Sequence, residues 1–424
     1  MLLQKKKLEL SAQQQQLLRE QVITDLTPGA LLHDFEALMA FVAEHSLPAA
    51  GIHQLLPLAS LGAFNARMAH PLKLRLQRPI QKSYPHINGL FLLARATGLL
   101  RVVREDSEAQ FRLDDAALNA WRALNPTERY FTLFEAYLLH ASPEMIGERG
   151  GWLDQPGLQR ELQLVWDRIS DEGLRIRQTN SRQRNPYSAW FHHFALLESF
   201  GLVRIKLAKQ QSGTSWNIAE IRQTPFGQAV MMAAAIGAAR LFNQLINVDW
   251  DEETGKDWRA PEDFDAYQAE FQPYFPEWQR NFAVAEETRY QAGIFQFKVS
   301  LGKAWRRIAI PSGEMLWDLS NAILDSVDFD NDHLHCFEYK NRFAVIQRVN
   351  HDAMDAGPFS SEVRIGDLPL APGDAMTYLF DFGDDWEFQL LLEVIAPPDK
   401  KIKRARLLES HGKAPKQYQD WDDE

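Results

Sequence analysis

Two short segments in the last third of the chain carry residue types that can bind a metal ion. His333 and His335 are two positions apart, and Asp381, Asp384 and Asp385 follow in a second segment. Side chains at i and i+2 of a β-strand point to the same face, and imidazole and carboxylate groups are ligands for divalent metals. The pattern therefore predicts a metal site built from His335, Asp381 and Asp384, provided that the two segments meet.

A tight turn explains the same aspartates without a metal ion. In the segment 381–385, Gly383 would adopt a positive φ, and the aspartate side chains would accept hydrogen bonds from backbone N–H groups. Asp and Gly are the residue types that such turns favour. Both interpretations stay open at the level of sequence, because the distance between the two segments is unknown.

These segments lie in a region whose pattern indicates strands around one helix. Hydrophobic residues alternate over 294–301 and 305–310, which is typical of half-buried strands. Over 315–327 they recur at helical spacing, and the inward positions are Leu316, Leu319, Ile323 and Leu324. Further strands are expected at 334–339, 342–348, 377–382 and 386–395. One early helix among strands indicates an α+β domain with an antiparallel or mixed sheet.

Three ordered motifs in this region match those of a known family. The chain has Trp-Arg-Arg-Ile-Ala-Ile-Pro at 305–311, Leu-His-Cys-Phe at 334–337 and Asp-Phe-Gly-Asp-Asp-Trp at 381–386. The region from 291 to 424 therefore resembles the plasmid pRiA4b ORF-3-like family. The resemblance implies an α+β fold and a plasmid or mobile-element setting, but no particular reaction. The matching positions are Trp305, Arg306, Arg307, His335, Asp381, Gly383, Asp384, Asp385 and Trp386.

Arg306 and Arg307 are neighbours on a predicted strand, so their side chains should point to opposite faces. One of them could form a bidentate salt bridge with an aspartate of the 381–386 turn, and the other could bind phosphate. Trp305 and Trp386 are expected in the core, because aromatic side chains fit a half-buried pleated surface.

A repeated pattern marks the N-terminal two-thirds of the chain. Residues 91–102 and 194–205 each predict an amphipathic helix that ends at a glycine and continues into a strand. Gly98 and Gly201 suit the left-handed position that closes a helix. Each copy then predicts a two-stranded hairpin and a further helix, which opens in the second copy with Thr-Pro at 224–225. The order of elements resembles the winged-helix domains of DNA-binding regulators, and we predict two such units.

Basic residues are concentrated in and around the second copy. They outnumber acidic residues between 175 and 222, whereas the whole chain has a net charge of −11 and acids dominate after 255. Such a cationic region is typical of phosphate binding, although a merely solvated surface has the same composition. The helix expected at 187–200 is bulky and apolar, unlike a base-reading surface. The residues from which we expect nucleic-acid contacts are Arg175, Arg177, Arg182, Arg184, Lys206 and Lys209.

Composition sets the remaining limits. With 424 residues, of which 45% are hydrophobic and 24% charged, the chain is expected to fold into several globular domains. Its single cysteine, Cys336, allows no internal disulfide and is expected to be a small core residue. We expect no N-terminal signal peptide, and the longest apolar stretch, 229–239, is too short to cross a bilayer. These features favour a cytoplasmic protein with no cofactor beyond the possible divalent metal.

The expected organisation is α+β, with a mostly helical N-terminal region followed by an α+β C-terminal domain. We expect an N-terminal helical region at 1–70 and winged-helix-like units at 71–145 and 146–248. An acidic aromatic linker is expected at 249–289, and the α+β domain at 290–424.

Two functions fit these observations. The first is a non-enzymatic accessory protein whose winged-helix-like units bind nucleic acid or a partner, and whose acidic C-terminal domain contacts a protein partner. The second is a metal-dependent enzyme, with nucleic acid as a candidate substrate and with His335, Asp381, Asp384 and Asp385 as ligands. The sequence contains no phosphate-binding loop, nucleophile elbow or zinc-protease motif, so it assigns no catalytic residue.

Overall fold

The structure is a computed structural model. It describes residues 9–51, 53–105, 108–148, 159–170, 172–176, 187–209, 216–246, 264–283, 290–341 and 346–418. The chain divides into two compact units, Met1–Ala285 and Glu286–Glu424. Within the described ranges, no helix is both long enough and apolar enough to span a membrane.

The first unit is mostly helical. Its helices are α1 (Ala12–Glu20), α2 (Leu31–Glu44), α3 (Leu58–Asn65), α4 (Pro85–Ala96), α5 (Asp115–Arg122), α6 (Pro126–Glu135), α7 (Gln159–Arg168), α8 (Phe191–Ser199), α9 (Pro225–Ile246) and α10 (Gln268–Phe271). Its strands are β1 (Leu47–Pro48), β2 (Leu100–Glu105), β3 (Glu108–Leu113), β4 (Leu174–Arg175), β5 (Val203–Leu207) and β6 (Ile218–Gln223).

Two modules of the first unit have the same order of elements. The first consists of α2, β1, α3, α4 and the β2–β3 hairpin, and the second of α7, β4, a 3-10 turn at Ser188–Trp190, α8 and the β5–β6 hairpin. In both, the short strand pairs with the second hairpin strand, so the sheets have the orders β1-β3-β2 and β4-β6-β5. The first sheet is thus completed by β1, which lies in the region predicted to be a separate N-terminal helical segment.

Local sequence signals explain where these elements start and stop. Gly98 and Gly201 follow α4 and α8 with φ of +69° and +76°, as the repeat predicts. Thr224 precedes α9, and its hydroxyl accepts a hydrogen bond from the backbone N–H of Gly227 at 2.8 Å. Asn125 begins α6 in the same way, by accepting from the N–H of Glu128 at 3.0 Å.

Aromatic side chains of α6 form a core with the segment 264–283. The rings of Phe131 and Trp278 stack with centroids 4.5 Å apart, and Phe271 packs on Phe131 at 4.8 Å. This segment belongs to the stretch predicted to be a linker. Its described part is instead packed into the first unit, because its aromatic residues bury more surface there than a solvated linker would allow.

In its described residues, the second unit is a seven-stranded antiparallel sheet with one α-helix. Its elements are β7 (Ile294–Leu301), β8 (Ala304–Pro311), α11 (Leu316–Val327), β9 (His335–Lys340), β10 (Ile346–Asn350), β11 (Ala375–Phe380), β12 (Trp386–Ala396) and β13 (Arg406–His411). The strand order is β10-β9-β11-β12-β7-β8-β13, and every neighbouring pair is antiparallel. The predicted α+β class is confirmed, and the sheet is antiparallel rather than mixed.

The core of the second unit lies between α11 and one face of the sheet. The four inward positions predicted for the helix are all buried: Leu316, Leu319, Ile323 and Leu324. They form one cluster with alternating strand residues such as Phe297, Tyr378, Phe388 and Leu390. The second face of the sheet carries most of the polar side chains, and this arrangement decides which motif residues are accessible.

Candidate functional site

A chain of hydrogen bonds crosses the core of the second unit through the motif residue His335. The Tyr378 hydroxyl lies 2.6 Å from the Ser320 hydroxyl, which lies 3.4 Å from Nδ1 of His335. On the other side of the ring, Nε2 lies 3.1 Å from the Ser360 hydroxyl, and Ser360 donates to Oδ2 of Asp352 at 3.2 Å. The chain links a fully buried tyrosine to an exposed carboxylate.

Chemistry fixes the direction of these hydrogen bonds. The carboxylate of Asp352 can only accept, so the Ser360 proton points to it, and the Ser360 oxygen must accept from Nε2–H of His335. Nδ1 then accepts from Ser320, whose oxygen accepts from Tyr378. Burial, aided by neighbouring His351, lowers the pKa of His335 to about 4. His335 is therefore neutral at physiological pH and fully occupied by protein groups.

The predicted metal ligands do not assemble around His335. Strand β9 begins at His335, so the alternation that places i and i+2 on one face does not extend to His333. His333 is instead the residue that meets the turn, with Nε2 at 3.4 Å from Oδ2 of Asp381, while Asp384 and Asp385 are exposed. Among the residues that the structure describes, no three His, Cys, Asp or Glu side chains converge on one point.

The segment 381–385 is a turn, as the alternative interpretation predicts. Oδ1 of Asp381 accepts a hydrogen bond from the N–H of Gly383 at 2.9 Å. The positive φ angles belong to Asp381 (+55°) and Asp385 (+56°) rather than to Gly383, so the predicted role of the glycine was wrong. Asp tolerates the left-handed region because its short side chain bonds locally to the backbone.

A shallow cleft of about 330 Å³ opens beside the turn. Its lining residues are Asn331, Asp332, His333, Leu334 and His351. The ring of His351 also contacts the buried His335, with centroids 4.7 Å apart. The walls offer polar groups, but the cleft is too open to bury a small ligand.

The two motif arginines point to opposite faces of the sheet, and neither meets the aspartate turn. Arg306 is buried, and its guanidinium donates to the carbonyl oxygens of Ser326 at 2.7 Å and His411 at 3.1 Å, with further bonds to neighbouring carbonyls. Arg307 pairs instead with Glu393 at 2.6 Å and with Glu409. The predicted salt bridge to the turn was therefore wrong, because nearer carbonyls and carboxylates occupy both side chains.

The motif tryptophans are only partly buried. Trp386 packs against the edge of the core, close to Phe329 at 5.1 Å. Trp305 lies on the polar face of the sheet, where Lys298 and Arg307 stand over its ring at 5.0 and 5.4 Å. The core position predicted for Trp305 was wrong, since its register places it between two cations. Cys336 is buried as predicted, and burial raises the pKa of its thiol to about 11.

In the first unit, cationic side chains gather on one face of the β4-β6-β5 sheet. Arg204 faces Arg222 across the hairpin, and Lys206 faces Glu220. Arg175 faces Glu220 from the opposite strand. Directly opposed residues share a face of the sheet, so four cations surround one carboxylate. The side chains of Arg175 and Arg222 are 83% and 56% exposed, whereas that of Glu220 is 17% exposed.

Three of the six predicted nucleic-acid contacts belong to this region, and three cannot be assessed. Arg175 and Lys206 lie on the cationic face, and Lys209 is exposed just beyond β5. The others, Arg177, Arg182 and Arg184, lie outside the described residues. Arg204 and Arg222 are basic residues of the same sequence region and belong to the same face, but they were not among the six predicted contacts. Strand alternation counted from Lys206 is the signal that identifies them.

The helices α4 and α8 are buried against each other. All twelve residues of α4 are buried, and so are eight of the nine in α8. The Nε2 atom of His86 in α4 lies 3.1 Å from a carboxylate oxygen of Glu198 in α8. Neither helix therefore presents a face that could enter a groove of DNA, in agreement with the apolar composition of 187–200.

A second group of buried polar residues lies at the end of α6. Glu135 is fully buried and accepts a hydrogen bond from the N–H of Tyr267 at 2.7 Å. Burial raises its pKa to about 8, with Asp265 and Glu270 adding to the rise and the Tyr267 hydrogen bond opposing it. At neutral pH most Glu135 side chains are therefore uncharged. A π-helix, Ala136–His140, follows directly.

The comparison with family models gives a match in the second unit. Residues 293–418 match the model of a family described as plasmid pRiA4b ORF-3-like protein, as the three motifs predict. Among solved structures, a protein of unknown function from Methanosarcina mazei Go1 is 25% identical to the matched region. That match covers 28% of this chain and 70% of the other, with a TM-score of 0.26. The comparison with curated proteins gives no match.

Proposed function

We propose that this chain, whose C-terminal domain is of the plasmid pRiA4b ORF-3-like family, is a non-enzymatic accessory protein that binds nucleic acid through its first unit. The observation that carries the proposal is the exposed cationic face of the β4-β6-β5 sheet. The shared order of helices and hairpins in the two modules supports their assignment as winged-helix units.

Binding of this kind would rest on the phosphate backbone rather than on base edges. A winged-helix regulator reads bases with a helix inserted into the major groove, whereas α4 and α8 are buried here. Cations on an exposed sheet can still neutralise phosphates, which contributes affinity without sequence information. We therefore expect binding that depends strongly on salt and weakly on sequence.

The alternative of a metal-dependent enzyme receives no support from the geometry. His335 donates to Ser360 and accepts from Ser320, so both ring nitrogens are engaged inside the core. Asp384 and Asp385 are exposed, and among the described residues no three ligand side chains come together. A protein partner for the acidic C-terminal domain stays a prediction.

The test is fluorescence anisotropy of a short labelled DNA duplex, titrated with the full chain at several salt concentrations. Each neutralised phosphate contributes about −0.9 to the slope of log Kobs against log salt, so four cations predict a slope of about −3 to −4. Two duplexes of unrelated sequence should bind alike. Absence of binding at low salt would contradict the proposal.

A matched pair of variants locates the surface. Replacing Arg175, Lys206 and Lys209 by glutamine should weaken binding and flatten the salt dependence. The same change of charge at Lys73, Arg75 and Arg78, which are also exposed in the first unit, should have little effect. Equal loss in both variants would show that net charge alone, and not this face, accounts for binding.

A further inference from the structure

The two hairpins of the first unit correspond residue by residue at their base, up to Val103 in the first and Lys206 in the second. In the first module, the N–H of Asp114 donates to the carbonyl oxygen of Leu99 at 3.0 Å, immediately before α5. In the second, the N–H of Thr224 donates to the carbonyl of Leu202 at 2.9 Å, immediately before α9. Asp114 and Thr224 therefore occupy the same position, each as the N-cap of the helix that leaves the sheet.

Both hairpins carry an arginine pair at the corresponding position. Arg101 faces Arg112 in the first hairpin, and Arg204 faces Arg222 in the second. Like charges directly opposite one another across two strands destabilise a sheet. Each arginine of such a pair is therefore stabilised by a negative charge beside it, from the protein or from a ligand.

In the first hairpin the protein supplies that charge at the N-cap. Nη1 of Arg101 lies 2.5 Å from Oδ2 of Asp114, while the other oxygen of Asp114 caps the helix by accepting from the N–H of Ala117 at 2.8 Å. The carboxylate side chain is 13% exposed. Arg101 is thus neutralised within its own module.

In the second hairpin the N-cap supplies no charge. The hydroxyl of Thr224 caps α9 and donates to the carbonyl oxygen of Gly201 at 2.8 Å. The exposed side chain of Arg204 forms no hydrogen bond or ion pair with any other described residue. The carboxylate of Glu220 is engaged by Arg222 at 2.7 Å. Arg204 therefore faces solvent uncompensated.

The residues around the two arginine pairs also differ in charge. In the first sheet the central residue is Gln110, and the residues opposite it are Pro48 and Val103. In the second sheet the places of Pro48 and Val103 are taken by Arg175 and Lys206. The first face is thus weakly charged and internally paired, whereas the second carries additional cations around an unpaired arginine.

We propose that the second hairpin alone is the phosphate-binding surface, and that a backbone phosphate of the nucleic acid takes, beside Arg204, the place that the Asp114 carboxylate takes beside Arg101. The inference rests on the proposed function and assigns it to one of two similar modules. Arg204 is the main contact; Lys206 lies two positions further along the same strand, and Arg175 lies on β4, at the far side of the same face. Thr224 leaves the position open because a hydroxyl caps the helix without adding a negative charge.

Exchanging the two N-cap residues tests the proposal. Thr224→Asp would place a carboxylate beside Arg204, and aspartate and threonine both cap helices well. We expect the variant to bind the labelled duplex about tenfold more weakly, with the salt slope reduced by about one. Asp114→Thr, the reverse exchange in the first hairpin, should bind at least as tightly as the unchanged protein. Circular dichroism checks that both variants fold.

Arg204→Gln gives an independent measurement, because this exposed side chain contributes little to folding. The same tenfold loss is expected. Unchanged binding by both Thr224→Asp and Arg204→Gln would overturn the assignment while leaving nucleic-acid binding intact. Failure of the unchanged protein to bind would overturn the proposed function itself. Equal competition by polyglutamate would show that the surface accepts any polyanion, and this also overturns the assignment to nucleic acid.

Discussion

Gly89 of α4 lies directly against Leu196 of α8: a Cβ atom at position 89 would stand 2.6 Å from Cγ of the leucine. The close contact allows the two helices to bury each other, and it leads to a prediction. Gly89→Ala should destabilise the first unit, because overpacking costs about 1 to 3 kcal/mol and exceeds the gain of about 1 kcal/mol in helix propensity. Urea unfolding followed by circular dichroism measures the change.

The control for this prediction is the same substitution in another helix. Gly62 of α3 has no atom within 4 Å of the place where its Cβ would be. Gly62→Ala should therefore raise the free energy of unfolding by about 0.5 to 1 kcal/mol. If both alanines stabilised the protein, the tight contact between α4 and α8 would be refuted.

Glu135 predicts a loss of stability as the pH rises. Its pKa is raised from the usual 4.5 to about 8 in the folded protein, so between these values the folded state holds a proton that the unfolded state releases. The stabilisation that protonated Glu135 gives the folded state is complete below pH 4.5 and is lost as the pH rises towards 8. The expected loss is a few kcal/mol, at about 1.4 kcal/mol per unit of pKa.

Comparing unfolding curves of variants across pH 5 to about 8 checks this expectation. Glu135→Gln keeps an acceptor for Tyr267 but cannot ionise, so its stability relative to the unchanged protein should increase with pH. Glu277→Gln alters an exposed carboxylate of the adjoining segment. Its free energy of unfolding should change with pH in parallel with that of the unchanged protein. A parallel curve for Glu135→Gln as well would mean that the buried acid is already charged.

The buried His335 leads to the opposite prediction for the second unit: its stability should fall as the pH becomes acid. Its pKa falls from 6.5 to about 4 on folding, so the unfolded state binds a proton that the folded state excludes. This stability is complete above pH 6.5 and is lost as the pH falls towards 4, by about 3 kcal/mol. His335→Gln should remove that part of the acid dependence, and His411→Gln, at an exposed site, should retain it.

Nitrogen chemical shifts of the His335 imidazole give a direct check on the same residue. The hydrogen-bond chain from Tyr378 to Asp352 requires the proton on Nε2 at neutral pH. A spectrum with the proton on Nδ1, or a positively charged ring at pH 6, would show that the direction assigned to the chain is wrong.

Arg306 should be far more sensitive to conservative substitution than an exposed arginine. Its planar guanidinium donates to several backbone carbonyls, among them those of Ser326 and Gly412. A lysine ammonium cannot reproduce this geometry. Arg306→Lys should lower the free energy of unfolding by about 3 kcal/mol. Arg348→Lys, in the exposed pair with Glu338, should cost less than about 1 kcal/mol. Similar losses would contradict this difference in roles.

Local patterns predicted much of the fold. Alternation and helical spacing located α11 and six of the seven sheet strands described in the second unit, while β13 was not predicted. Glycines closed α4 and α8 where the repeat placed them. These features depend on neighbours a few residues away. The turn at 381–385 was predicted for the same reason, although the positive φ fell on Asp381 and Asp385 instead of Gly383.

The chemistry of the motif residues could not be predicted, because it depends on distant segments. His335 is buried by Ser320 and Ser360, which come from separate parts of the chain. Arg306 donates a hydrogen bond to the carbonyl of His411. No local sequence pattern predicts a bond between residues so far apart in the chain. The metal hypothesis assumed that family motifs meet one another, whereas most of them contact residues outside the motifs.

The burial of α4 against α8 makes the first unit comparable to a dimer whose two halves have been joined into one polypeptide. In a true homodimer, any substitution appears in both subunits, so binding cannot be strengthened in one subunit and abolished in the other. A fused pair escapes this constraint of symmetry. Asp114 and Thr224 can then evolve separately, and such a molecule has no reason to prefer a palindromic target.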